Sequence, residues 1–122
     1  MVLLNVSWSR RNNPHIVLEM LHKAQTLLPS SETEIRSDNY INIGYEYLHL
    51  EDAKAALKAN RNAFNEAQVG NNHLIAIISI RNQALIAYYQ GSLDQAVEIC
   101  NKGITSYDYL HNKYGRPSPI LG

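Results

Sequence analysis

Apolar and small residues recur three or four positions apart through most of this chain, the spacing of one face of a helix. Ala53, Ala56, Leu57, Ala63, Phe64 and Ala67 form one such stripe. Leu93, Ala96, Val97, Cys100, Ile104, Tyr107 and Leu110 form another. Strand-like alternation is scarce, and the four prolines sit near the ends of elements. The pattern predicts an all-helical chain. Asp52 and Ser92 can each accept a free amide at a helix start, and Asn13 can cap a helix whose first turn holds Pro14. That helix should stop at Pro29. The map is a short helix over about 2–10, then helices near 14–28, 33–50, 52–69, 72–90 and 92–113. A loop tail, "YGRPSPILG", closes the chain at 114–122. Connections this short predict antiparallel packing of consecutive helices.

The chain has 122 residues, enough for one small domain with a modest core. Lys plus Arg and Asp plus Glu each total 11, so the formal charge is zero. That argues against binding a phosphate backbone, which needs a concentrated basic face, and Arg10-Arg11 is too short to change it. Cys100 is the single cysteine, which rules out an internal disulfide and suggests a reducing cytoplasm. "MVLLNVSW" has no basic n-region and does not read as a signal peptide, so "NVS" at Asn5 carries no weight as a glycosylation site. No apolar run approaches the ~20 residues of a membrane span. The expectation is a soluble protein of the cytoplasm.

Self-similarity sharpens the map. A shift of 40 residues brings Ala84 onto Gly44, Ala87 onto Tyr47, Gly91 onto Glu51, Ala96 onto Ala56 and Gly103 onto Ala63. A further shift of 39 reaches Asn5, Trp8, Asn12, Val17 and Ala24. Small residues thus return where two helices of a pair must approach closely. Gly91 and Ser92, in "YYQGSLDQAVEIC", mark the break between the helices of one unit.

This register of small, aromatic, glycine and paired-alanine positions resembles the tetratricopeptide repeat, with Pro29 where that family commonly ends a unit. The resemblance covers three units, about 1–30, 33–70 and 72–113, with 114–122 as tail. Asn5, Asn12, Val17 and Glu51 depart from its small or glycine positions, and the period exceeds the usual length of about 34. With long helices and "LIAIISIRNQALIAYYQGSLDQAVEICNKGI" followed by "YGRPSPILG", the chain is similar to the superhelical sensor domain of MalT-type LuxR-family transcriptional regulators.

The resemblance implies a right-handed α-solenoid of about three helix pairs, with first helices lining a concave groove. It carries Tyr45, His49, Arg81, Leu85, Tyr88 and Tyr89 to the groove side and turns Tyr47 toward its partner helix. Tyrosine offers a flat apolar face and a hydroxyl, suited to a sugar or peptide in a shallow groove. Asp38 and Arg81 could meet across adjacent first helices as an ion pair or as ligand contacts. The implied function is a ligand- or protein-sensing segment of an ATP-dependent regulator, with an inducer or protein partner in the groove. The alternative is a free-standing scaffold for a peptide or protein. "PILG" stands where another apolar helix should begin, which predicts an exposed apolar end face on the last pair and self-association through it.

Other chemistry finds no support in the pattern. There is no nucleotide-binding P-loop and no basic DNA-reading helix-turn-helix, so this segment should contact no nucleic acid directly. His15, His22, His49, His73 and His111 show no metal-ligand spacing and read as surface or groove residues. Cys100, inside an apolar stripe, reads as inert core. Glu32, Glu34, Glu51 and Asp52 read as charges complementing helix N-termini. No catalytic constellation emerges, and neither a cofactor nor a metal is expected.

Overall fold

The computed structural model describes the backbone of residues 13–114 and the side chains of 13–105. Among them are five helices: α1 (Pro14–Leu27), α2 (Thr33–His49), α3 (Ala53–Val69), α4 (His73–Tyr89) and α5 (Leu93–Tyr114). No strand occurs among the described residues, which are all-α as the periodicity predicts. The expected helix over 2–10 and tail residues 115–122 lie outside them. No described helix is long and apolar enough to cross a membrane.

Local chemistry sets the boundaries. The Asn13 side chain accepts the His15 amide at 2.8 Å, with Pro14 at the first helical position. α1 ends two residues before Pro29. Asp52 and Asn72 accept the amides of Ala55 at 3.0 Å and Ile75 at 3.2 Å, capping α3 and α4. Glu34 lies in the first turn of α2, where its charge complements the helix dipole.

The three later connections share one geometry. Glu51, Asn71 and Gly91 take positive φ values of 59°, 57° and 83°. In each turn the next residue's amide reaches back five positions: Asp52 to Tyr47, Asn72 to Ala67 and Ser92 to Ala87, at 2.8–3.0 Å. This is the left-handed helix stop that glycine usually makes. The alignment of Gly91 with Glu51 is therefore structural, although only one is glycine. An L side chain in this region is strained by about 1 kcal/mol. Glu51→Gly should therefore raise stability by up to about 1 kcal/mol, and Gly91→Ala should lower it by a similar amount. A Cβ on Gly91 meets nothing within 4 Å, so any loss seen in thermal melts would come from the backbone.

Each helix packs on the next in the chain, and α2 also touches α4. One apolar cluster joins Leu18, Ile43 and Ala59, with Leu21, Tyr40, Tyr47 and Leu50 against it. A second joins Ala56, Leu57 and Ile86, with Tyr47 and Ala53 against it. Tyr47 belongs to both, in keeping with its expected turn toward the partner helix. Its hydroxyl also lies 3.1 Å from His22 Nε2, tying α1 to α2.

The last stripe is covered along only part of its width. Ala96 and Gly103 are buried, but Leu93, Val97, Cys100 and Ile104 are exposed. Cys100 is thus surface rather than core. The apolar face of α5 is wider than α4 can cover, and Cys100 lies on the uncovered part.

Candidate functional site

The side chains singled out by the groove register are all exposed: Asp38, Tyr45 and His49 on α2, and Arg81, Leu85, Tyr88 and Tyr89 on α4. The forty-residue register explains why. Ile43 and Gln83 are both buried, as are Glu46 and Ile86. On the other side of these helices, Tyr45 and Leu85, Leu48 and Tyr88, and His49 and Tyr89 are exposed in matching pairs. Both helices therefore turn the same face inward and the same face to solvent. Leu48 and Ile77, missed by the sequence reading, extend the two rows with 39% and 42% exposure. Spacing alone could have found them, since Leu48 follows Tyr45 by three positions and Ile77 precedes Arg81 by four.

Within this face the aromatic rings organise locally. Tyr88 and Tyr89 meet edge to face with centroids 5.6 Å apart. His49 Nδ1 lies 3.5 Å from Glu46 Oε1 on its own helix, and Glu46 is buried. Arg81 donates from Nη2 to Asn82 Oδ1 at 3.4 Å.

Asp38 and Arg81 do not form the expected ion pair. The Arg81 guanidinium turns to Asn82, its chain neighbour. Partial burial holds the Asp38 carboxyl above its ordinary pKa, and the Glu34 carboxylate one turn earlier adds to the rise. A guanidinium beside Asp38 would have pulled the value down instead.

A polar chain beneath the face was not anticipated. Asn60 is 2% exposed, donates to the Ala56 carbonyl at 2.9 Å, and accepts from Asn82 Nδ2 at 3.1 Å. Gln83 Nε2 donates to the Asn60 carbonyl at 3.4 Å, and Ser79 donates to the Ala76 carbonyl at 2.8 Å. Through Asn82 this chain links the exposed Arg81 to the interior of α3. At the other end of the molecule, Asn39 donates to the Leu21 carbonyl at 3.0 Å and to Gln25 Oε1 at 2.8 Å. These amides position helices; none of them opens to the α2–α4 face as a reacting group.

Among the described residues, no group of three or more His, Cys, Asp or Glu is placed to hold a metal ion. The face itself presents aromatic and aliphatic surface together with the Arg81 guanidinium. Comparison with protein-family models, with curated proteins and with solved structures finds no match.

Proposed function

We propose that this chain is an interaction module, an α-solenoid of antiparallel helix pairs that holds a peptide or protein segment across α2 and α4. The observation that carries this reading is the paired row of large side chains in solvent, Tyr45 with Leu85 and Leu48 with Tyr88, on two touching helices. Large apolar side chains held in solvent by two touching helices are the kind of surface that marks interaction sites. Tyrosines add flat contact area with a polar tip, the composition favoured at interface centres. Tyr88 and Tyr89 are 56% and 80% exposed, an open face that suits a peptide laid along it. A small-molecule site would enclose most of its ligand. Arg81, in the midst of the row, offers a planar cation to a partner carboxylate.

Within that class, the repeat length favours a sensing segment of a MalT-type LuxR-family regulator. Helices of 17 residues with three-residue connectors make a 40-residue pair, against about 34 in the ordinary tetratricopeptide unit. In that setting, docking shifts the regulator toward its active arrangement only if the partner binds the two states unequally. A free-standing scaffold is the alternative. A P-loop domain and a DNA-binding helix-turn-helix in the same reading frame would separate the regulator from it.

The face is tested by selecting peptides from a random library on the wild-type chain and titrating them against a triple variant. Tyr45→Ala, Arg81→Ala and Tyr88→Ala together should abolish binding. Helicity and melting temperature should hold, because all three side chains are exposed. Peptides that bind the variant as tightly as the wild type would put the site elsewhere.

A further inference from the structure

The solvent side of α3 is a row of cations. Lys54, Lys58, Arg61 and Asn65 share one face of the helix, all exposed, on the side away from the buried Ala56, Ala63 and Ala67. None of the three cations takes part in an ion pair among the described residues. The one acidic side chain within α3, Glu66, is half-buried and already held by Arg36. The helix itself gains nothing from this row. Lys54 stands in the first turn, where the positive end of the dipole disfavours a cation. Spacings of four and then three residues add repulsion along the row. Forty residues later the same positions on α5 read Asp94, Glu98, Asn101 and Thr105, again all exposed. Asp94 falls on Lys54 and Glu98 on Lys58, so opposite charges stand at matching heights on the two helices that pack on α4. Lys102 lies 3.0 Å from Glu98 Oε1, and the Glu98 side chain is 63% exposed, open to a further cation.

An acidic segment would match only α3, and a basic one only α5. A partner that matches both must carry the two signs side by side at this spacing, and a second copy of this chain does. Turned by a two-fold axis parallel to the helices, it sets its α5 on α3 and its α3 on α5. Lys54 then faces Asp94 and Lys58 faces Glu98, each pair occurring twice, as an isologous interface requires. A two-fold axis across the helices would instead lay α3 on α3 and oppose like charges. We infer that the chain forms a weak, salt-sensitive two-fold dimer through the outer faces of α3 and α5. The dimer takes from the proposed function only its stacking of helix pairs, in which α3 and α5 run in the same direction. It leaves the α2–α4 face free.

A zero-length carbodiimide joins a lysine to a carboxylate only where the two touch. With isotope-labelled and unlabelled chains mixed at low salt, links between the two kinds should join Lys54 to Asp94 and Lys58 to Glu98. Sedimentation should show a monomer–dimer equilibrium that weakens about tenfold or more when salt rises to about 0.5 M, because exposed pairs are screened. Lys54→Glu with Lys58→Glu should abolish the dimer, and so should Asp94→Lys with Glu98→Lys. All four substitutions together reverse both rows and should restore it. Lys102→Gln should tighten it by freeing Glu98 for Lys58. Helical melts establish that each variant is folded. A wild type that stays monomeric at low salt and high concentration overturns the proposal. If that monomer binds polyglutamate through Lys54 and Lys58, the row belongs to an acidic partner instead. A dimer that survives high salt, or reversal of one row, places the interface elsewhere. Failure of the folded fourfold variant to associate does the same. Links from Lys54 to Glu98 and from Lys58 to Asp94 would overturn the axis and the common direction of α3 and α5, while peptide binding at the α2–α4 face would stand.

Discussion

Replacing Asn60 by aspartate is expected to destabilise the chain by about 3 kcal/mol at neutral pH, and by much less in acid. The side chain is nearly isosteric, so packing does not decide the outcome. Asn60 uses its amide in both senses, donating to the Ala56 carbonyl and accepting from Asn82. An aspartate keeps the acceptor but sets a carboxylate oxygen against the Ala56 carbonyl, at a position 2% exposed. Space gives no relief, because a Cβ on Gly44 would already lie 2.7 Å from Asn60 Nδ2. Burial and the facing carbonyl raise the folded-state pKa above the unfolded value of about 3.9. The folded state then binds more protons than the unfolded state, so stability falls as pH rises above that value. Below it both states are protonated, and the carboxylic O–H can donate to Ala56 as the amide did. Urea titrations of variant and wild type at neutral pH and near pH 4 check both the size and the sign. A small, pH-independent difference would show that water reaches the Asn60 side chain.

That position also marks how far periodicity could be read. Helix ends were legible because their causes are local: Asn13 before Pro14, Asp52 before α3, Pro29 after α1. The forty-residue register was legible too, and the residues that the resemblance carries to a groove side, Tyr45, His49, Arg81, Leu85, Tyr88 and Tyr89, are exposed. Asn60 escaped notice because an amide is buried only if a second helix supplies its partner. Here that partner is Asn82, 22 residues away. Cys100 failed in the opposite sense. Spacing shows that a face is apolar, but whether a helix lies over it depends on how far the neighbouring helix reaches. The Asp38–Arg81 pair failed because helical register assigns a face without fixing where a long side chain turns. Glu51 departs from a glycine position of the repeat, yet it takes the conformation that glycine would. The turn holds it at positive φ because Asp52, with its reach back to Tyr47, fixes the chain on either side.

Arg36→Met should cost about 2 kcal/mol and release α1 selectively. The Arg36 guanidinium joins three helices from its place on α2. Nε donates to Glu66 of α3 at 3.0 Å, while Nη1 donates to the Leu28 carbonyl at 3.1 Å and the Gln25 carbonyl at 3.4 Å. Those two carbonyls belong to the end of α1, where helical carbonyls lack partners along the axis and a cation complements the dipole. The pair is about one-fifth exposed on each side, so less is lost than on breaking a fully buried one. Methionine preserves the bulk but leaves Glu66 without its cation and the carbonyls without a donor. α1 is the helix most exposed to this loss, because among the described residues its remaining ties to α2 are few. They are the packing of Leu18 and Leu21, the His22–Tyr47 contact and the bonds from Asn39. Hydrogen exchange should therefore accelerate in α1 while protection in α3 and α4 holds. Arg36→Lys should restore only part of the loss, because one ammonium cannot reach a carboxylate and two carbonyls with the geometry of a planar fork. Glu66→Gln should cost less than either, since it leaves both carbonyl bonds in place. Uniform acceleration across all five helices would instead mean that this guanidinium supports the whole stack, with α1 no looser than the rest.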